Sequence, residues 1–341
     1  MVPASIASAL GAIDKSSGQE VARRAGLADA LDRLIKIAKV QSTEASNAIE
    51  NIEAPRARIE ALVAEKTMPQ NRSEAEIAGY RDVLNTIHAS TTDVPFSNNV
   101  LLQFHRDLYA HSNVGYAGAY KVGSNEVTET RPDGAVIVRF RPVDPADTPR
   151  AMDELIDRYE RAARSEGHHP LLLMAAYIFD FLMIHPFQDG NGRMSRLITL
   201  LLLYHSDYRV GRYVSLERLI NESRETYYEA LQASTSGWHE SEHDIWRWTS
   251  YLLGILVAAY KELESRLDAV GHRGAKSDAV KTFIRSSIST SFTIEDIRRA
   301  TPAGDSLIRR VLHELRDMEP PAIENEGRGP AARWRRIHTS F

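Results

Sequence analysis

Twelve consecutive residues, His185-Pro186-Phe187-Gln188-Asp189-Gly190-Asn191-Gly192-Arg193-Met194-Ser195-Arg196, gather most of what this chain could use for chemistry. Proline disfavours helical geometry at the residue before it, so a helix ending at His185 would present the imidazole at its rim. Gly190 and Gly192, with Asn191 between them, can adopt positive φ and expose backbone N–H groups. A glycine-rich turn feeding a helix N-terminus is an anion cradle, because unsatisfied N–H groups and the helix dipole both favour negative charge. Arg193 and Arg196, on the first turn of that next helix, would add charge-assisted phosphate contacts. Asp189 is the only carboxylate in the turn, and Mg²⁺ commonly takes one or two protein carboxylates together with substrate phosphates. A histidine beside such a cradle has the right ordinary pKa for a general base. Asp-Gly-Asn-Gly alone is an ordinary helix–helix connector. A connector needs neither the histidine before it nor the two arginines after it.

The surrounding pattern is helical. Pro170 opens LLLMAAYIFDFLMI, apolar almost all round, which predicts a helix buried in a core. Arg193, Arg196, Leu197, Leu200 and Leu201 begin an amphipathic helix. Ala28–Ala38, Val83–Ile87 and Leu101–Leu108 carry apolar residues at helical spacing. Asp147–Arg164 reads as a polar helix with a stripe at Met152, Leu155, Ile156 and Tyr159, and Glu242–Leu267 as a long helix. Only Val136–Arg141 alternates like a strand in this part. With the turn signal Arg131-Pro132-Asp133-Gly134 and a partner strand at Asn125–Thr130 it predicts a hairpin.

Composition narrows the class. Of 341 residues, 43% are apolar and 26% charged, an ordinary globular balance, and there is no cysteine for a disulfide framework or thiolate metal site. The longest apolar runs fall short of the ~18 to 20 residues of a membrane span. No basic leader followed by an apolar block opens the chain, so the expectation is a cytoplasmic protein with no membrane partner. From Lys276 onward there are 12 basic and 9 acidic residues, against 30 and 37 before it. A tail near +3 behind a body near −7 suggests a separate role for the tail without identifying nucleic acid as its partner.

The 185–196 segment resembles the Fic family signature HPFx[DE]GNGRxxR. All nine specified positions match: His185, Pro186, Phe187, Asp189, Gly190, Asn191, Gly192, Arg193 and Arg196. The resemblance, covering roughly residues 40 to 250, implies a mainly α protein, a Fic-type helical bundle with a β-hairpin flap. It implies transfer of AMP from ATP to a Ser, Thr or Tyr hydroxyl of a target protein, or of the chain itself. His185 would take the hydroxyl proton, and Asp189 would hold Mg²⁺ between the α- and β-phosphates. Gly190, Asn191 and Gly192 would form the anion hole, with Arg193 on the β-phosphate and Arg196 on the γ-phosphate. Phe187 would be a core anchor. In the kinase-like Doc branch a lysine replaces the second glycine, so Gly192 argues for nucleotidyl transfer.

By the same resemblance the hairpin would be the flap over the nucleotide, with Asn125, Glu126, Val127 and Thr128 lining the site. Family members often place a bulky apolar residue where Glu126 stands. Tyr227 and Tyr228 match a tyrosine pair that contacts base and sugar. Thr235 occupies a position where relatives can carry an asparagine for adenine. Upstream, Ser46-Asn47-Ala48-Ile49-Glu50-Asn51 fits the inhibitory pattern [ST]xxxE[GN], in which Glu50 would pair with Arg196 and fill the γ-phosphate space. Removal of AMP at the same site is an alternative activity.

The tail reads as a winged helix-turn-helix. Thr293 is a plausible cap for a short helix, a turn at Pro302–Gly304 leads into DSLIRRVLHELRDM, and two candidate strands follow at Ala322–Glu324 and Arg333–Ile337, split by Gly-Arg-Gly-Pro. Arg309 and Arg310 lie near a DNA-reading position, so DNA is one candidate partner and a protein or a homodimer another. A transcription regulator is the corresponding alternative function. His239-Glu240-Ser241-Glu242-His243 matches HExxH, which on a helix would give two zinc ligands and a zinc peptidase, but it follows Ser236-Gly237 and should straddle a helix start. The expected organisation is an N-terminal helical region over 1–97 with an inhibitory helix at about 43–53, a Fic core over 98–240, a helical connector over 241–274 and the winged helix over 275–341.

Overall fold

The computed structural model describes residues 2–23, 27–89, 93–130, 136–165, 167–286, 290–327 and 333–339, with backbone only for 128–130, 136 and 271–275. The expected hairpin turn at Arg131–Gly134 and part of the Gly-Arg-Gly-Pro link lie outside them. The chain divides into two compact units between Leu263 and Glu264.

The first unit contains helices α1 (Ala4–Arg23), α2 (Ala28–Ile49), α3 (Arg56–Val63), α4 (Arg72–Ala89) and α5 (Asn98–Leu108), then strands β1 (Val127–Thr130) and β2 (Val136–Phe140). Helices α6 (Thr148–Arg164), α7 (Pro170–Ile184), α8 (Asn191–His205), α9 (Leu216–Glu222), α10 (Arg224–Thr235) and the start of α11 (Trp246–Ser286) follow. Helix α7 buries Met174, Ala175, Ile178, Phe179, Phe181 and Leu182, as its apolar run requires. It packs against α6 and α8. The indole N–H of Trp248 donates to the Ala175 carbonyl at 2.8 Å, tying α11 to the middle of α7.

Three expected boundaries move, each for a local reason. Ala28–Ala38 and the inhibitory segment are one 22-residue helix, α2, which stops at Ile49 rather than near residue 53. Asn51 takes φ 59°. The N–H groups of Asn51 and Ile52 return to the carbonyls of Ala48 and Asn47, both at 3.0 Å, closing a left-handed C-terminal cap. Strand β1 begins at Val127 and not at Asn125, because the Asn125 side chain is bonded to the motif backbone described below. Helix α11 starts at Trp246, whose N–H is capped by Asp244 Oδ1 at 2.8 Å, and it continues past Leu267 through two glycines to Ser286.

Strands β1 and β2 pair antiparallel, with an irregularity between Val127 and Thr128. In the second unit α12 (Ile294–Ala300) and α13 (Asp305–Arg316) accompany β3 (Ser291–Phe292), β4 (Ile323–Glu326) and β5 (Arg333–Arg336), ordered β3-β5-β4 and antiparallel. Thr293 caps α12 in a reciprocal capping box with Asp296. Ile308, Val311, Leu312 and Leu315 of α13 close on Phe292, Ile297 and Trp334. No described helix is long and apolar enough to cross a membrane.

Candidate active site

Helix α7 ends as Pro186 demands. His185 is its C-cap, in the left-handed region at φ 52° and ψ 59°. Its Nδ1 sits 3.1 Å from the Leu182 carbonyl, which can only accept, so Nδ1 carries the proton and Nε2 keeps its lone pair. Burial is the main reason the imidazole is pushed down to about 4, and the nearby Lys121 cation adds to it. His185 is therefore neutral near pH 7 and able to accept a proton.

The turn that follows is braced from within and from below. The Asn191 amide accepts from the Phe187 N–H at 2.9 Å and donates to the Phe187 carbonyl at 2.8 Å. Asp189 Oδ1 accepts the Gly190 N–H at 2.6 Å. Gly190 has φ 83°, and a side chain there would press on Tyr109 and Leu108. Phe187 is fully buried, and its ring stacks on His105 at 3.8 Å and 4°. His105 Nδ1 accepts the Gly118 N–H at 2.9 Å, so its Nε2–H donates to the Asp189 carbonyl at 3.0 Å. Burial pushes His105 down to about 4, which keeps the ring neutral while its two hydrogen bonds fix the tautomer.

The two arginines have different fates. Arg193 is 1% exposed; it pairs with Glu76 at 2.7 Å and donates to the Tyr109 hydroxyl at 2.7 Å. The residue expected on the β-phosphate is thus engaged beneath the turn. Arg196, 4% exposed, is held by α2. Its Nε donates to Ser46 Oγ at 2.8 Å, and its Nη2 to the Ser46 carbonyl at 2.8 Å and Glu50 Oε1 at 2.9 Å. The same Glu50 oxygen lies so close over Gly192 that a Cβ at that position would collide with it. Buried Glu217 anchors α2 further, accepting from Ser42 at 2.6 Å and Tyr80 at 3.0 Å.

A cleft of about 1180 Å³ opens above these groups. His185, Asp189, Gly190, Asn191, Gly192, Arg196, Glu50 and Asn51 line it, with Asn125, Glu126 and Val127 from the hairpin side and Tyr227, Tyr228 and Thr235 from α10. Thr128 lies in β1 as expected, with its side chain outside the described set. Tyr227 is 4% exposed and Tyr228 45%. Asn125 donates to the carbonyls of His185 at 3.1 Å and Phe187 at 2.7 Å, pinning the hairpin root to the turn. Buried Lys121 donates to Asn125 Oδ1 at 2.8 Å and to the Ile184 carbonyl at 3.1 Å, and burial lowers its pKa to about 8. Glu126 does not offer an apolar surface; it pairs with Arg141 at 3.0 Å.

Residues 95–203, which hold this turn, all of α7 and all but the last two residues of α8, match the model of the Fic/DOC family. This stretch is similar to Fic domains. Protein adenylyltransferase Fic of Nematostella vectensis is 26% identical over 212 residues, 61% of this chain and 46% of that protein. The Culex quinquefasciatus protein of the same name is 29% identical over 140 residues, 40% of this chain and 24% of that one. The chain thus spans less than half the length of these curated relatives. In fold, a Fic family protein from Desulfovibrio desulfuricans superposes with a TM-score of 0.64 at 23% identity, covering 99% of this chain and 97% of that one. Fic-1 from C. elegans, residues 134–508, gives 0.59 at 18% identity over 78% and 73%.

Reading the sequence missed the site's supports: Glu76 and Tyr109 under Arg193, His105 under Phe187, Lys121 behind Asn125, and Glu217 behind Ser42. None has a spacing signature, since each meets its partner only through tertiary packing. The HExxH residues lie in turns and not on a helix. His239 stacks on Phe140 and His243 on Phe179. Among the described residues no group of three or more His, Cys, Asp or Glu side chains is gathered to hold a metal.

Proposed function

We propose that this Fic-like domain transfers AMP from ATP to a hydroxyl of a protein, and that Glu50 restrains it. The observation that carries the reading is the Glu50 carboxylate lodged against Gly192 and Arg196. An anion of the chain's own already occupies a cradle built for anions, where a terminal phosphate would otherwise sit. The names of the adenylyltransferase relatives point the same way.

In this reading the acceptor oxygen attacks the α-phosphorus, its proton passes to His185 Nε2, and pyrophosphate leaves. His185 is suited to it because Leu182 holds Nδ1–H and burial keeps the ring neutral. Backbone N–H groups at the start of α8 and the Arg196 cation would meet the phosphates as charge builds on them. Arg193 would contribute from behind the turn unless it leaves Glu76.

Asp189 suits a hard cation. It is a half-exposed carboxylate on the cleft wall whose Oδ2 has only distant partners, Tyr116 at 3.4 Å and Arg193 at 3.9 Å. One carboxylate plus phosphates is an ordinary Mg²⁺ ligand set, and the ion would neutralise phosphate charge there. The direct test is incubation with Mg²⁺, a cell lysate and ATP labelled at either the α- or the γ-phosphate. Label should reach protein from α-labelled ATP alone; transfer of γ-label alone would replace this reading with a kinase reaction.

A further inference from the structure

The turn between α10 and α11 holds two residues that the chemistry above leaves unused, one of them from the HExxH segment. It is tightly folded: the Trp238 N–H bonds the Thr235 carbonyl at 3.2 Å, and the Glu242 N–H bonds the Gly237 carbonyl at 2.9 Å. Gly237 sits at φ 77°, with Glu242 and His243 packed where a side chain would go. The turn is fastened to α7, because Trp238 Nε1–H donates to Asp180 Oδ1 at 2.8 Å. Asp180 is in the same helix as His185, less than two turns before it.

From this base Trp238 and His239 grip the end of β2. The Trp238 ring meets Phe140 edge-on at 6.0 Å and 80°, and the His239 ring stacks on Phe140 at 5.3 Å and 13°. His239 Nε2 lies 2.9 Å from the Arg141 carbonyl, which makes it the donor. Phe140 also lines the cleft. The hairpin is therefore fixed twice, at its entry by Asn125 and at its exit by Trp238 and His239.

We propose that Trp238 and His239 are positioning residues that clamp the flap through Phe140 and Arg141, and so set how well a protein acceptor is presented to His185. Nucleotide affinity should depend on them little. The phosphate turn is braced by Asn191, His105 and Asn125 through hydrogen bonds that do not include the clamp residues. Glu126, Val127, Arg139 and Phe140 of the hairpin line the same cleft as His185, so an acceptor entering that cleft would meet them. This role rests on the adenylylation reading, and its test separates the two.

Hydrogen exchange followed by mass spectrometry on the full chain reads the clamp without any catalysis. In His239→Ala, exchange of the 137–141 amides should quicken about five- to tenfold while peptides of α7 and α8 stay unchanged; Trp238→Ala, which also strips Asp180 of its partner, should quicken 137–141 more than α7. His239→Gln, which keeps a donor for the Arg141 carbonyl, should recover part of the protection. In a Glu50→Gly background, His239→Ala should slow label transfer from α-labelled ATP to lysate protein about fivefold or more, with α,β-methylene-ATP affinity within about twofold. Unchanged exchange at 137–141, equal loosening of α7 and α8, or nucleotide affinity falling in step with transfer would overturn the clamp. If neither the native chain nor Glu50→Gly transfers label, adenylylation fails, and the exchange result still decides the clamp.

Discussion

Glu50 and Arg196 meet at 2.9 Å although 146 residues separate them in sequence, and the carboxylate lies over Gly192, which has no side chain to exclude it. Glu50 is 33% exposed at its side chain, whereas Arg196 is buried to 3%. The glutamate can swing toward solvent. The arginine cannot, because Ser46 holds it through both side chain and backbone.

That asymmetry makes a prediction for Gly192→Ala. The added methyl collides with the free end of Glu50, a flexible group, so the Glu50 carboxylate should move and the fold should lose about 1 to 2 kcal/mol, the worth of the ion pair lost with it. The ion pair should be broken in the process. Glu50→Gln should then destabilise the native chain by about 1 to 2 kcal/mol, discounted for partial exposure, and have almost no effect in the Gly192→Ala background. Thermal unfolding of the four chains checks this; additive effects would place Glu50 elsewhere.

Asn51 explains the last letter of the inhibitory pattern. At φ 59° it needs a residue that tolerates the left-handed region, which is why glycine or asparagine stands there. Asn51→Gly should leave stability and transfer rate close to native. Asn51→Val should cost about 1 to 2 kcal/mol and raise transfer as the end of α2 frays and releases Glu50. A valine variant with native stability and native rate would count against the cap.

The general base should report itself in the pH profile. His185 is held near 4 by burial and by Lys121, so it is largely neutral from about pH 5 upward. The acid limb of kcat/KM, which reads the free enzyme, should lie well below the ordinary histidine value of about 6.5. Lys121→Gln removes a cation that disfavours imidazolium and should move the limb upward. A limb near 6.5 that ignores Lys121 would remove His185 from the role.

Buried neutral histidines also predict acid sensitivity of the fold. His105 is lowered to about 4 and His88 to about 3, both mainly by burial. The unfolded chain takes up these protons first, near 6.5, so stability should fall as pH drops from about 6.5 toward 4. Unfolding midpoints across that range should decline, and less steeply in His105→Gln. A flat profile would mean that these histidines are solvated.

The sequence made the reactive turn and the Ser46/Glu50 segment legible because both are local: their residues sit within one loop or one to two helical turns. The buried character of α7 was equally plain from its unbroken apolar run. Helix α2 was harder. Its two amphipathic pieces are joined by Lys39-Val40-Gln41-Ser42, where burial of Ser42 against Glu217 replaces the apolar stripe that periodicity looks for. The same holds for Arg193, whose partner Glu76 comes from α4, and for His105, an unremarkable residue on an amphipathic helix until Phe187 stacks on it.

In the proposed function, Glu50 restrains AMP transfer by occupying Arg196 and the space over Gly192. The measurement is the initial rate of label transfer to protein from α-labelled ATP, compared among the native chain, Glu50→Gly, and Glu50→Gly with Arg196→Ala. A charge-assisted bond of about 1 to 2 kcal/mol, discounted for the partial exposure of Glu50, sets the scale, so Glu50→Gly should gain about five- to thirtyfold, and the added Arg196→Ala should return the rate to a low level. A folded Glu50→Gly chain that transfers AMP no faster than the native one would contradict it.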